Sequence, residues 1–228
     1  MFRLIELNFD DQSYLGHIPA DQLVFVPLEE REPTDLPYTS VLIGANGTGK
    51  STILSYLVKI FEDIKYFKDT GKRAPRAITF SYNITYQINT DVFKFTQKNN
   101  GLDLDAYKEG TRILKWYYEF SINDKPIEEI QDRIILPGNI VAVSYLPMDR
   151  FRQKSNAVED FYLYLGLRHR SNAASTQFFL NNTLPLLFRY ISESRSVSFL
   201  KNILVFMGMD QALAPCYFPP VDILNNHS

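Results

Sequence analysis

Apolar and polar positions along the chain follow two different periods, and each predicts a different kind of element. Phe2 to Leu7 alternates, as a half-buried strand does, and Leu23 to Val26 is a short apolar strand candidate. Glu29 to Asp35 is charged, carries Pro33 and reads as a loop. Ser40 to Ile43 is a brief apolar strand candidate. Beyond it Ile53, Leu54, Leu57, Val58, Phe61 and Ile64 recur at spacings of three and four, which predicts an amphipathic helix stopped by Gly71.

The middle of the chain returns to a period of two. Ile78, Phe80, Tyr82, Ile84, Tyr86 and Ile88 alternate with polar residues, as in an antiparallel sheet with one wet face. Asn89 to Asp91 predicts a turn, Val92 to Thr96 a returning strand, and Asn99 to Gly101 a second turn. Leu114, Trp116, Tyr118, Phe120 and Ile122 alternate again, closed by Asn123 to Pro126, with Trp116 and Tyr118 expected in the core. Residues 77–122 therefore read as an antiparallel β subdomain inserted after the first helix. Ile140 to Ser144, after Pro137-Gly138, is a continuous apolar run expected to rejoin the core sheet as a buried strand. Pro147 to Ser175 looks irregular. Residues 174–208 form a helical region: Ala174 to Leu180, Pro185 to Ile191 with its proline near the helix start, and Val197 to Met207 stopped by Gly208. No internal repeat or low-complexity tract interrupts this pattern.

Composition narrows the functional classes. The 228 residues are 45% hydrophobic and 22% charged, an ordinary globular balance, and the length fits one large domain or one domain carrying a sizeable insertion. A net charge of -2 gives no global basic field for nucleic acid. The single cysteine, Cys216, excludes an internal disulfide framework and reads as a small buried hydrophobe in a reducing compartment. His17, His169 and His227 have no ligand-like spacing, which argues against zinc. No apolar run reaches the roughly 20 residues that span a bilayer. The N-terminus meets acidic residues too early for a secretory signal, so a cytoplasmic protein is expected.

The chemistry concentrates in Gly44-Ala45-Asn46-Gly47-Thr48-Gly49-Lys50-Ser51-Thr52, which matches G-x-x-x-x-G-K-[ST]. Glycines let such a loop curl so that successive N–H groups face phosphate oxygens. A lysine at this position reaches the β- and γ-phosphates, and the next hydroxyl, that of Ser51, coordinates the bridging Mg²⁺. The helix that follows aims its N-terminal dipole at the anion. ATP with Mg²⁺ is the expected ligand.

The string Val41 to Thr52, with Asn46-Gly47 at its centre, resembles the ABC-class branch of P-loop ATPases, particularly the SMC, Rad50 and RecF-like members. The opening strand and the inserted antiparallel sheet are similar to the first lobe of that class. Leu136 to Ser144, Asp149-Arg150-Phe151 and Tyr164 to Arg168 resemble AAA-family ATPases of bacterial anti-phage loci of the Septu, retron and restriction-associated kinds. These resemblances imply an α/β P-loop fold of ABC type, a second subunit, hence a homo-oligomer, and a nuclease or other effector partner. They also imply a glutamine near the metal after the rejoining strand; Gln153 is the nearest candidate, beside a solvated-loop reading.

The chain also departs from that family. Downstream of Thr52 no apolar strand ends in Asp-Glu and no Ser-Gly-Gly signature occurs. Leu23 to Glu30 and Ile203 to Asp210 only mimic the acidic strand. Asn8-Phe9 is followed by Asp10 where the RecF-like members tend to carry a basic residue. Either the chain is the N-terminal part of a longer ATPase, or it binds nucleotide without hydrolysing it alone. Arg150, Arg152, Lys154, Arg168, His169 and Arg170, interleaved with Phe151, Phe161, Tyr162 and Tyr164, could contact nucleic acid or form a subunit interface.

Overall fold

The computed structural model describes residues 1–9, 22–31, 38–102, 114–128, 130–146, 149–153, 160–170 and 173–194. The expected helix at Val197 to Met207, the Ile203 to Asp210 run, and Asp10, His17, Lys154, Cys216 and His227 lie outside them.

The fold is a mixed α/β one dominated by an antiparallel sheet. Its strands are β1 (Phe2–Phe9), β2 (Gln22–Val24), β3 (Tyr82–Ile88), β4 (Asp91–Leu102), β5 (Leu114–Ile122) and β6 (Lys125–Pro126). Their order is β2-β1-β3-β4-β5-β6. The sheet is therefore wider than residues 77–122, because β1 pairs with β3 along its length, from Phe2↔Ile88 to Phe9↔Tyr82. The inward rows of the long strands are largely apolar, and they meet: Tyr86 stacks on Phe93, and Phe93 on Phe120.

Helix α1 (Lys50–Thr70) lies across that inner face. Its apolar stripe buries Ile53, Ile60, Phe61 and Ile64, and the last three join Leu7, Ile84, Tyr86, Phe93 and Phe95 in one core. Gly71 ends the helix as expected, left-handed at φ 68, with its N–H on the Phe67 carbonyl. Asn89, at φ 56, makes the tight turn read from the sequence.

Three expectations for this half need correction. β3 starts at Tyr82, not Ile78, because side chains take the backbone groups of the preceding segment. The Asp63 carboxylate accepts the Ile78 N–H at 2.9 Å, Gln97 donates to the Ile78 and Phe80 carbonyls, and Arg73 donates to the Ile78 carbonyl at 2.8 Å. Asn99 to Gly101 is no turn. β4 runs on to Leu102 with an irregular register, and the Asn99 N–H bonds the Ser81 hydroxyl. Trp116 is half-buried and lies beneath the Arg73 guanidinium at 4.3 Å, a cation–π contact at the rim of the core.

The remainder is a smaller unit. A short helix α2 (Ile130–Arg133) leads to β7 (Ile140–Ser144), then β8 (Tyr162–Gly166), β9 (Arg168–Arg170), β10 (Ala173–Ala174) and α3 (Thr176–Ser194). β7 forms as expected but pairs in parallel with β8, from Ile140↔Tyr162 to Ser144↔Gly166, and not with the large sheet. It is not buried throughout: Ala142 and Ser144 point inward, while Val141 and Val143 are about half exposed. The stretch expected to be irregular thus holds three strands, which single-strand periodicity missed because β8, Tyr-Leu-Tyr-Leu-Gly, is buried on both faces. The two helices expected between Ala174 and Ile191 are one. Pro185 sits inside α3, where it forfeits one backbone hydrogen bond.

Ser40 to Ile43 forms no strand. Ser40 bonds the Phe25 carbonyl and Leu42 touches the core, leaving Val41 and Ile43 at 72% and 90% exposure. Among the described residues no helix is long and apolar enough to cross a membrane.

Candidate phosphate-binding site

The segment Gly44 to Gly49 curls at the mouth of α1. Gly47 and Gly49 take φ 86 and 87, a left-handed conformation that side chains resist. Gly49 is the N-cap of α1, so no capping side chain takes the first N–H groups of the helix, and no acidic residue stands in its first turn. Those N–H groups and the helix dipole are left for an anion from outside.

Lys50 closes the curl from within. Its ammonium donates to the Gly44 and Ala45 carbonyls, each at 2.7 Å, and lies 3.4 Å from the Thr48 hydroxyl. The Thr48 hydroxyl donates to the Ala45 carbonyl at 2.9 Å. An ammonium has three N–H groups, and two of them are used as a strap across the loop. The third faces the Thr48 hydroxyl in a weak 3.4 Å contact that a phosphate oxygen would replace. Gly44 to Gly47 are exposed, and Ser51, in the first turn of α1, is exposed beside them. The residues therefore fit a polyphosphate: a curled amide cradle, one mobile cation, and a serine hydroxyl suited to Mg²⁺. Among the described residues no group of three or more His, Cys, Asp or Glu forms a protein-only metal cage.

No family model, no curated protein and no solved structure matches this chain.

Gln153 is placed by its neighbours. Arg152 pairs with Glu62 of α1 at 2.5 Å, and the Arg152 carbonyl accepts the Tyr162 hydroxyl at 2.9 Å. Glu62 is twelve residues from Lys50, about 18 Å along the helix axis. These contacts tie the Arg152 side chain to the middle of α1 and the Arg152 carbonyl to β8. Its side-chain nitrogen is buried without a protein partner.

A braced loop was missed by sequence reasoning. Arg168 donates to the Asp149 carbonyl at 2.7 Å, donates to the Phe151 carbonyl, and pairs with the Asp149 carboxylate at 3.4 Å. The Tyr164 hydroxyl donates to the same carboxylate at 2.6 Å, and burial together with that bond pushes the phenol up to about 12. Arg168 is thus committed to a buried carboxylate, Arg152 pairs with Glu62 at the surface, and His169 lies against the Phe178 ring. The signal available in the sequence was Asp149 and Arg168 flanking an aromatic pair, a pattern without fixed spacing.

Between α1 and β7 runs an apolar groove of about 450 Å³, lined by Leu54, Leu57, Val58 and Phe61 on the helix side and by Ile140 to Val143 and Phe151 opposite.

Proposed function

We propose that this chain binds Mg²⁺–ATP through Gly44 to Thr52 as the nucleotide-binding core of an ABC-class P-loop ATPase. The observation that carries the reading is the strap from the Lys50 ammonium to the Gly44 and Ala45 carbonyls at the uncapped start of α1. Amides of Gly47 to Ser51 hold the phosphates, Lys50 supplies the positive charge, and the Ser51 hydroxyl orients the metal. Bound Mg²⁺ supplies charge neutralisation between the β- and γ-phosphates.

Hydrolysis in this reading needs an acidic strand end and a signature segment, neither of which occurs downstream of Thr52 in these 228 residues. A second copy and a further segment or subunit would complete the site, and a nuclease effector in a cytoplasmic anti-phage system fits the resemblance of residues 136–144, 149–151 and 164–168. The same sequence fact favours a second reading, a nucleotide sensor that changes partner affinity without turnover. The deciding experiment is direct. ATP binding measured by calorimetry with Mg²⁺ should be lost in Lys50→Ala, and unchanged affinity in that variant would sink the proposal. Steady ATP turnover by the 228-residue chain alone would exclude the sensor reading.

A further inference from the structure

The two ends of the phosphate loop are held by different means. Downstream, Gly49 opens α1, whose Ile53, Ile60, Phe61 and Ile64 are buried, so that end is fixed by the core. Upstream, residues 38–44 lie in no strand or helix, and Val41 and Ile43 project into solvent. A loop fixed at one end only must be ordered when its ligand arrives, and the lost backbone freedom is subtracted from affinity. Side chains, and not a strand ladder, hold the upstream arm.

The Ser40 hydroxyl donates to the Phe25 carbonyl at 3.1 Å. Phe25 is itself fixed: its ring belongs to the main core, and its N–H donates to the Ile5 carbonyl of β1 at 2.8 Å. Leu42 packs against the same core two residues after Ser40. At the outer end of the arm the Tyr38 ring lies beneath the Arg3 guanidinium, 5.7 Å from centroid to charge, and the Tyr38 hydroxyl donates to the Glu30 carboxylate at 2.6 Å. Arg3, buried on β1, donates in turn to the Glu30 carbonyl at 3.3 Å. These tethers lead back to β1. Of them, Ser40 is the polar one nearest the loop, four residues before Gly44 and no more than about 14 Å from it along the chain.

We propose that Ser40 is a positioning residue for the phosphate loop: its bond to Phe25 ties the upstream arm to β1, so that Gly44 to Gly49 stand ordered before an anion binds. Its effect on ATP rests on the phosphate-loop reading above, whereas its effect on the loop's order is read without nucleotide. The test compares wild type, Ser40→Ala, Ser40→Thr, Val41→Ala and Lys50→Ala in the 228-residue chain. Each is measured by amide exchange without ATP and by calorimetric titration with Mg²⁺–ATP. Ser40→Ala should speed exchange at residues 44–49 and weaken ATP binding, each about fivefold, the weight of one neutral hydrogen bond. Exchange in β3 and β4 and the melting temperature should stay at wild-type values, because Ser40 is exposed. Ser40→Thr keeps the hydroxyl and should restore both readouts. Val41→Ala changes the neighbouring solvent-facing side chain and should move neither. Wild-type exchange in Ser40→Ala, no rescue by Ser40→Thr, or an equal effect in Val41→Ala overturns the tether and leaves the phosphate loop standing. Faster exchange with ATP affinity unchanged overturns the positioning role. Unchanged ATP affinity in Lys50→Ala overturns the phosphate reading, while the exchange rates still decide the tether.

Discussion

The two halves of the molecule treat their apolar side chains in opposite ways. In the six-stranded sheet, the inward rows of β1, β3, β4 and β5 are closed by α1, and Ile60, Ile64, Ile84 and Tyr86 reach zero exposure. Around β7 the reverse holds. Val141, Val143, Tyr145 and Leu146 are between 49% and 70% exposed, and Val41 and Ile43 stand out further still. β7 carries no charge, proline or bulge of the kind that blunts a strand edge. The contrast separates a half closed by its own packing from one that leaves apolar side chains open among the described residues.

The largest expected effect probes the closed half. Ile64→Ala should cost about 2–5 kcal/mol in urea unfolding, since the side chain is enclosed between helix and sheet. If it costs no more than an exposed site, the division between halves collapses. In the phosphate loop, Lys50→Ala should lower ATP affinity about a hundredfold while leaving the melting temperature in place, because its bonds lie within the loop and not the core. Arg168→Met should loosen the braced loop by about 1–3 kcal/mol, read as faster amide exchange in residues 149–153 with β3 and β4 unaffected.

The sequence made α1 legible because one helix face carries its whole signal, and β5 legible because nine residues alternate without interruption. The loop was legible because its chemistry is contiguous. What stayed hidden depends on partners far away in the chain. Ile78 fits the alternation, yet Asp63, fifteen residues earlier, takes its N–H and delays the strand. β7 and β8 pair residues 22 positions apart in the chain, and nothing in Ile140 to Ser144 alone announces that β8, and not the main sheet, will receive it. The brace on Asp149 closes only when the strands have formed.

Two smaller effects sharpen the contrast further. Burial pushes the Asp63 carboxyl above its usual range, against the opposing influence of its bond from Ile78, Lys59 at 3.7 Å and Arg73. A carboxyl raised by folding contributes its full share of stability below the unfolded value of about 3.9 and loses it as pH climbs through the folded value. Unfolding free energy measured from pH 3 to pH 7 should therefore show a downward component that Asp63→Asn removes. A slope unchanged in that variant would mean another group is responsible. Smallest of all, Val143→Ala should shift stability by about 0.5 kcal/mol or less, because half of that side chain already meets solvent. A large loss there would show that the open half is covered in solution.

The seating of β1 between β2 and β3 carries a consequence for how such a chain can be cut or recombined. Residues 2–9 and 82–88 form one ladder, while the Gly44–Gly49 loop and α1 are strung between them. A crossover anywhere from residue 10 to residue 81 would hand the two rails of that ladder to different parents. Excising residues 77–122 as a cassette would likewise leave the opening strand with β2 alone. Inheritance and engineering alike must carry the loop and both flanking rails together.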